Sequence, residues 1–220
     1  VVEVLEKKYP SFPGLNLTWE TREGISKHRS SYDEKDTEDL DLKSSPGLEA
    51  QLVDKADEIA YNCHDMDDGL ASGLITEDQL KSVDIWREAH AKARAEVPKG
   101  TDEEILRYYT VRLAVNSMAT DLAQSTEENI AAMGIETVRD VRQCPKKLVA
   151  FSRETERKNQ QLKRFLYQNL YTHPNVAAMN KKAVRMVKEL FAAYLEKPRL
   201  LQISTQAKAR HTPLERVLCD

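Results

Sequence analysis

Asp57, Tyr61 and Asp65 recur at four-residue steps within LEAQLVDKADEIAYNCHDMDDGLAS, residues 48–72. At about 100° per residue, that spacing stacks the three side chains along one face of a helix, with Asp54 and Asp68 close by. Carboxylates beside a phenol on one face can do two things. They can border a cleft, where one carboxylate ligates a metal while the tyrosine and a second aspartate address a polar substrate. They can also simply form a solvated acidic face, the ordinary fate of such a stripe. Two cations stand elsewhere. Lys27, followed by His28, ends a shorter helical segment, where it either complements the helix dipole or receives a phosphate. Arg112 and Asn116 fall inside an apolar segment and need partners, so Arg112 reads either as one half of an internal ion pair or as a phosphate contact.

The elements that must carry these residues are helical. Leu48, Leu52, Ala56, Ile59, Cys63, Met66 and Leu70 follow the three-and-four spacing of a core-facing stripe, opposite the acids. Thr18 is an N-cap candidate for TWETREGISKH, with Glu20 and Arg22 on its surface, and Thr76 with Gln79 forms a capping box. VDIWREAHAKARAEV, a second long helix from about Thr101 to Gln124 and a third starting within KKLVAFSRETERKNQQLKRFLYQNLYTHP follow. The second is apolar over a wide arc and is expected to be buried between other helices. In the third, Leu162, Phe165, Leu166, Leu170 and the ring of Tyr167 or Tyr171 form the buried stripe. Residues 125–145 read as short helices and turns, capped at Ser125 or Thr126 and stopped at Gly134 and Pro145. Beyond His173-Pro174 an amphipathic helix places Val176, Met179, Val184, Val187, Leu190, Phe191, Tyr194 and Leu195 on one side. Residues 1–9 read as the last turns of a helix ended by Pro10. RSSYDEKDTEDLDLKSSPG, residues 29–47, reads as an exposed loop.

Composition narrows the function classes. The 31% charged and 40% hydrophobic residues are ordinary for a folded protein, and a net charge of -3 gives no bulk attraction to nucleic acid or an anionic membrane. No apolar run approaches a membrane span, and no signal-peptide pattern appears. Cys63, Cys144 and Cys219 form no CxxC pair, so neither a disulfide framework nor a zinc site is indicated and a reducing cytoplasm is the simplest compartment. Only seven glycines, with no GxGxxG and no GxxxxGK[ST], argue against a glycine-rich phosphate loop. Any nucleotide must be held by side chains.

DEIAYNCHDMDDGL together with GLNLTWETREGISKH resembles the bacterial deoxyguanosinetriphosphate triphosphohydrolase family, within the HD-domain metal-dependent phosphohydrolases; LKRFLYQNLYTHPNV and ERVLCD are similar to its later helices. The resemblance implies an all-α, HD-domain-like helical bundle. Residues 1–125 then belong to the catalytic helical core, and residues 126–220 to a C-terminal helical region packed on it. It implies that Asp57 is the later metal-ligating aspartate, that Tyr61 and Asp65 contact the deoxyribose, the aspartate through its 3'-hydroxyl, and that Lys27 touches the triphosphate. Arg112 lies where related deoxynucleotide hydrolases carry a phosphate-contacting arginine. The family's first His, its His-Asp pair and the proton-transfer residues are expected upstream of VVEVLEKKYP, so the catalytic residues proper are not assigned within these 220 residues. The implied cofactor is a divalent ion, Mn²⁺ or Mg²⁺. The implied substrate is a deoxynucleoside triphosphate, dGTP above all, and the implied assembly a cytoplasmic homo-oligomer.

Three alternatives remain at this point. His64-Asp65 is itself a consecutive His-Asp pair, and with His28 and Asp121 it could build an internal metal site, although its surroundings match the later-aspartate helix better. An HD phosphohydrolase acting on a nucleoside monophosphate or a signalling nucleotide would use the same metal aspartate. A helical interaction module with a merely solvated acidic stripe is the non-enzymatic reading.

Overall fold

The computed structural model describes residues 1–6, 8–28 and 43–219, and among them every named element is helical. The sequence expectation for 29–42 lies outside the described residues. By backbone proximity the chain divides into two units, Thr18–Thr172 and Val1–Leu17 with His173–Asp220.

In the first unit, α1 (Trp19–Lys27) starts at Thr18, whose side chain accepts from the Thr21 amide as expected of an N-cap. α2 (Leu48–Ala71) is a 24-residue helix, and α3 (Glu77–Leu80) opens with the Thr76/Gln79 capping box. α4 (Asp84–Glu96) and α5 (Glu103–Ala132) pack against each other, and α2 lies against α5 as well. α6 (Val138–Gln143) carries a second capping box, Thr137 with Asp140, and α7 (Arg153–Leu166) runs into a π-helical turn, Tyr167–Tyr171. The core joins Ile59, Cys63 and Met66 of α2 to Trp86 of α4, Met118 and Leu122 of α5, and Leu162 and Leu166 of α7. Each such large apolar side chain, fully buried, contributes about 1.5–3 kcal/mol.

Several expectations are corrected here. α5 does not stop near Gln124; it continues through Ser125 and Thr126 for 30 residues and ends before Gly134, whose φ of 62° supplies the left-handed stop. Neither Ser125 nor Thr126 caps a helix, because the ladder runs past both. Nor is α5 buried all round: Ile105, Tyr108 and Arg112 face out, while Leu106, Val111, Ala114 and Met118 face in. α7 begins at Arg153 rather than within KKLVAF, because Ser152 caps it and is itself held by Asp121 through its amide (2.9 Å) and hydroxyl (2.6 Å). Leu148, Val149 and Phe151 therefore enter the core as irregular chain.

The core stripe of α2 is also rotated from the expected one. Leu52 and Ala56 are exposed, while Gln51 and Asn62 are buried. Burial of an amide costs free energy unless it is hydrogen-bonded. Gln51 meets that condition by accepting from the Leu148 (2.9 Å) and Val149 (3.2 Å) amides and donating to the Pro46 carbonyl. Asn62 does so by donating to Asn159 Oδ1 at 2.9 Å.

The second unit is built on α8 (Pro174–Glu196), with His173 as N-cap and Pro174 at its first position, followed by a 3₁₀ turn (Pro198–Leu200), α9 (Ile203–Lys208) and α10 (Leu214–Cys219). Residues 1–5 form a turn rather than the expected helix end, and Leu15 closes onto it by donating to the Val2 carbonyl at 2.8 Å. No residue of α8 is buried, and Met179, Val184, Val187 and Leu190 stay exposed.

Candidate active site

The exposed face of α2 carries the expected residues, and the structure separates them by what they already hold. Asp54 accepts from His28 Nδ1 at 2.6 Å and lies 3.3 Å from Lys147 Nζ. Asp65 accepts from the Tyr171 hydroxyl, and Asp67 pairs with Arg107 at 2.9 Å. Asp57 is exposed and has neither a hydrogen bond nor an ion pair to another described residue, so its carboxylate is available. It lines a cleft of about 1050 Å³ between α1 and α2, whose wall also includes Asp54, His28, Glu23, Val138 and Arg142.

Tyr61 is on the same helix face but borders a second cleft, of about 460 Å³, between α2 and the end of α7. It is 56% exposed, and its ring lies 6.2 Å from that of Tyr171, tilted by 43°. Lys163, Arg164, Tyr167 and Gln168 complete the wall opposite α2. Glu58 forms part of this wall and anchors it, accepting from Lys55 (2.8 Å), Lys163 (2.9 Å) and Asn159 (2.9 Å). Burial pushes the Glu58 carboxyl up, but the hydrogen bonds and charges of Lys55 and Lys163 outweigh it and leave its pKa at about 2.

Lys27 is nearly buried, at 6% side-chain exposure, and its three donors are taken: Glu23 Oε1 at 2.7 Å, the Ser44 carbonyl at 2.9 Å and Ser44 Oγ at 3.0 Å. Glu23 in turn accepts both guanidinium nitrogens of Arg142, each at 2.8 Å, and Arg142 lies over the Trp19 ring. Burial raises the Glu23 carboxyl and these cations more than offset it, so its pKa sits below the usual value. Lys27 therefore stands behind the Asp57 cleft, reached through Glu23, and must exchange a partner to meet a phosphate. Arg112 is exposed, with no ion pair or hydrogen bond to another described residue, and shares neither cleft.

The internal His-Asp arrangement does not assemble. His28 is engaged with Asp54, Asp65 with Tyr171, and Asp121 with Ser152, while His64 is exposed. Among the described residues no group of three or more His, Cys, Asp or Glu side chains could hold a metal ion. These residues alone do not make a metal centre, because a divalent ion needs several oxygen or nitrogen donors and Asp57 offers one carboxylate. Glu23, Glu58, Arg142, Lys163 and Tyr171 are among the site-wall residues that sequence reasoning did not single out as functional. The i,i+4 spacing of Glu23 and Lys27 was a usable signal; the partnership with Arg142, distant in sequence, had none.

A family model described as a phosphohydrolase-associated domain matches residues 149–220. Over its whole length the chain is 45% identical to a Geobacter sulfurreducens protein named deoxyguanosinetriphosphate triphosphohydrolase-like protein, of which it covers 57%. A protein of the same name from Azoarcus sp. is 45% identical over the whole chain, with 58% of that relative covered. Another from Bordetella pertussis is 42% identical over 91% of the chain and 53% of the relative. The chain thus spans a little over half the length of these relatives.

Proposed function

We propose that this chain, which belongs to the deoxyguanosinetriphosphate triphosphohydrolase-like family of phosphohydrolases, takes part in hydrolysing deoxynucleoside triphosphates, dGTP foremost, to deoxynucleoside and triphosphate. The observation that carries the reading is the division of labour on α2. Asp57 is left unpaired beside a large cleft, while Tyr61 and Asp65 follow it on the same face at four-residue steps, Tyr61 lining a second cleft and Asp65 held by Tyr171 of that cleft's wall.

In this reading Asp57 contributes one carboxylate oxygen to a divalent ion, Mn²⁺ or Mg²⁺, and the His and His-Asp ligands and the proton-transfer groups implied by the resemblance come from polypeptide outside this chain. When bound, such an ion polarises a phosphoryl oxygen and lowers the pKa of water. The chain's own residues bind and orient. Tyr61 offers a ring face and a hydroxyl to the sugar, and Asp65 keeps one oxygen free to accept from a sugar hydroxyl. Lys27, by leaving Ser44, supplies positive charge for the phosphates; Arg112, which lines neither cleft, is not brought to them by the residues described. No helix among the described residues is long and apolar enough to cross a membrane, and the proposed setting is the cytoplasm. The exposed apolar face of α8 is the surface we assign to homo-oligomer contacts.

The test is anion-exchange separation of the products of dGTP incubated with the full-length protein and Mn²⁺ or Mg²⁺, beside Asp57→Ala. Deoxyguanosine and intact triphosphate, lost in the variant, are expected. Release of orthophosphate instead points to a different phosphohydrolase reaction. Unchanged activity in Asp57→Ala removes the aspartate from the metal set.

A further inference from the structure

α5 shows solvent a face that carries little charge. Among the residues it exposes between Tyr108 and Gln124, Arg112 is the one with a charge, and the whole helix contains no lysine. α7, by contrast, exposes Arg153, Glu154, Arg157, Lys163 and Arg164. A helix side left to water is normally laced with charges, whereas a side covered by another protein is depleted of Lys, Glu and Asp and enriched in Tyr and Arg.

The face is built of two adjacent rows at four-residue steps. Tyr108, Arg112, Asn116 and Thr120 form one, Ala119, Ala123, Glu127 and Ala131 form the other, and all of them are exposed. Residues four apart line up as a ridge, and helices pack when the ridge of one enters the groove of another. The first row is bulky; the second is small apart from Glu127. Neither Arg112 nor Glu127 has a hydrogen bond or ion pair to another described residue. Fifteen residues separate them, about 22 Å along the axis, so they cannot meet within one helix.

An antiparallel copy of the same face, centred between Ala119 and Thr120, lays each row on the other. Arg112 of each chain then meets Glu127 of the other, Tyr108 meets Ala131, and Asn116 meets Ala123. The bulky residues face alanines, and two-fold symmetry satisfies both charges twice. A different partner would need an acid and a base at the same separation; a second copy supplies them by symmetry. The Tyr108 ring is already set for contact. Its hydroxyl donates to Glu104 at 2.9 Å and the Arg107 guanidinium lies 4.8 Å from the ring centroid, so little side-chain freedom is left to lose on association.

We propose that the exposed face of α5 is an isologous interface between two copies of this chain, paired antiparallel about Ala119 and Thr120 through reciprocal Arg112–Glu127 ion pairs. This contact is separate from the α8 face and independent of the reaction assigned above.

The experiment is sedimentation velocity of the full-length protein over a concentration series: unmodified, Arg112→Glu, Glu127→Arg, and an equimolar mixture of the two variants. Each variant alone sets like charges against each other at both contacts. It is expected to weaken association about 10-fold or more, read as a smaller assembly at the same concentration. In the mixture, a chain of one variant meeting a chain of the other opposes unlike charges at both contacts, so association is expected to return to within about 3-fold of the unmodified protein. Far-ultraviolet circular dichroism of each variant, expected to match the unmodified protein because both positions are exposed, separates lost association from lost fold. Variants that associate as the unmodified protein does overturn the proposal. Weakening that mixing does not restore also overturns it, and gives the face to polypeptide outside these residues or to a different protein. An unmodified protein that sediments as a monomer throughout the series overturns it as well.

Discussion

Glu58→Gln tests how the cleft wall between α2 and α7 is held. The carboxylate receives Lys55, Lys163 and Asn159 at 2.8–2.9 Å, and Asn159 is in turn the acceptor for the buried Asn62. The pKa falls from 4.5 to about 2, a difference worth about 3 kcal/mol at 1.36 kcal/mol per unit. The Glu58 side chain is 19% exposed and that of Lys163 is 44% exposed, so solvent screening reduces this to roughly 1.5–3 kcal/mol. Because the folded-state value lies below the unfolded one, the stabilisation is complete above the unfolded pKa of 4.5 and is lost as pH falls towards 2. Roughly 40% of it survives at pH 3 and about one-tenth at pH 2. The assay is urea denaturation of the unmodified protein and Glu58→Gln from pH 7 down to pH 2.5. Carboxylates common to both proteins cancel in the difference. The gap should be widest at neutral pH and shrink steadily below about pH 4.5. A gap that stays constant down to pH 2.5 would refute the ion-pair account and leave packing as the cause.

Other expectations follow from buried contacts. Asn159→Ala leaves the Asn62 amide without its acceptor, so it should cost about 1–3 kcal/mol in chemical denaturation, and adding Asn62→Ala should cost much less than a second such loss. Gly14 has φ 71°, and a Cβ there would lie 2.4 Å from the Glu3 backbone, so Gly14→Ala should lose about 2 kcal/mol or more and expose residues 1–17 to limited proteolysis. Burial raises the Cys63 thiol to about 12, so iodoacetamide near neutral pH should label the exposed Cys219 and reach Cys63 only after unfolding.

What the sequence disclosed was local. Thr18, the Thr76/Gln79 box and the acidic face of α2 depend on spacings of three or four residues, and the structure contains each where it was expected. What it hid depends on partners distant in the chain. Gln51 looks like a surface residue until the Leu148 and Val149 amides are placed over it, and Asn62 until Asn159 is. The start of α7 was misread for the same reason: KKLVAF has helical spacing, but Asp121 holds Ser152 as the cap and leaves those apolar residues to fill the core as irregular chain. The π-turn has no sequence signature at all, since Tyr167–Tyr171 continues the apolar period of α7.

The same distinction bears on the acids of α2. Five aspartates on one helix repel one another, and here they are not all left to water. Instead Asp54, Asp65 and Asp67 are each engaged by a residue of another element, His28 with Lys147, Tyr171, and Arg107. Asp57 and Asp68 keep unpaired charge, and of the two only Asp57 borders one of the two clefts. Pairing its neighbours lowers the repulsion on Asp57 without neutralising it, so its carboxylate stays open to a cation arriving in the cleft. That selective pairing, rather than the number of acids, leaves Asp57 as the unpaired carboxylate at a cleft wall, and neither spacing nor composition could have revealed it.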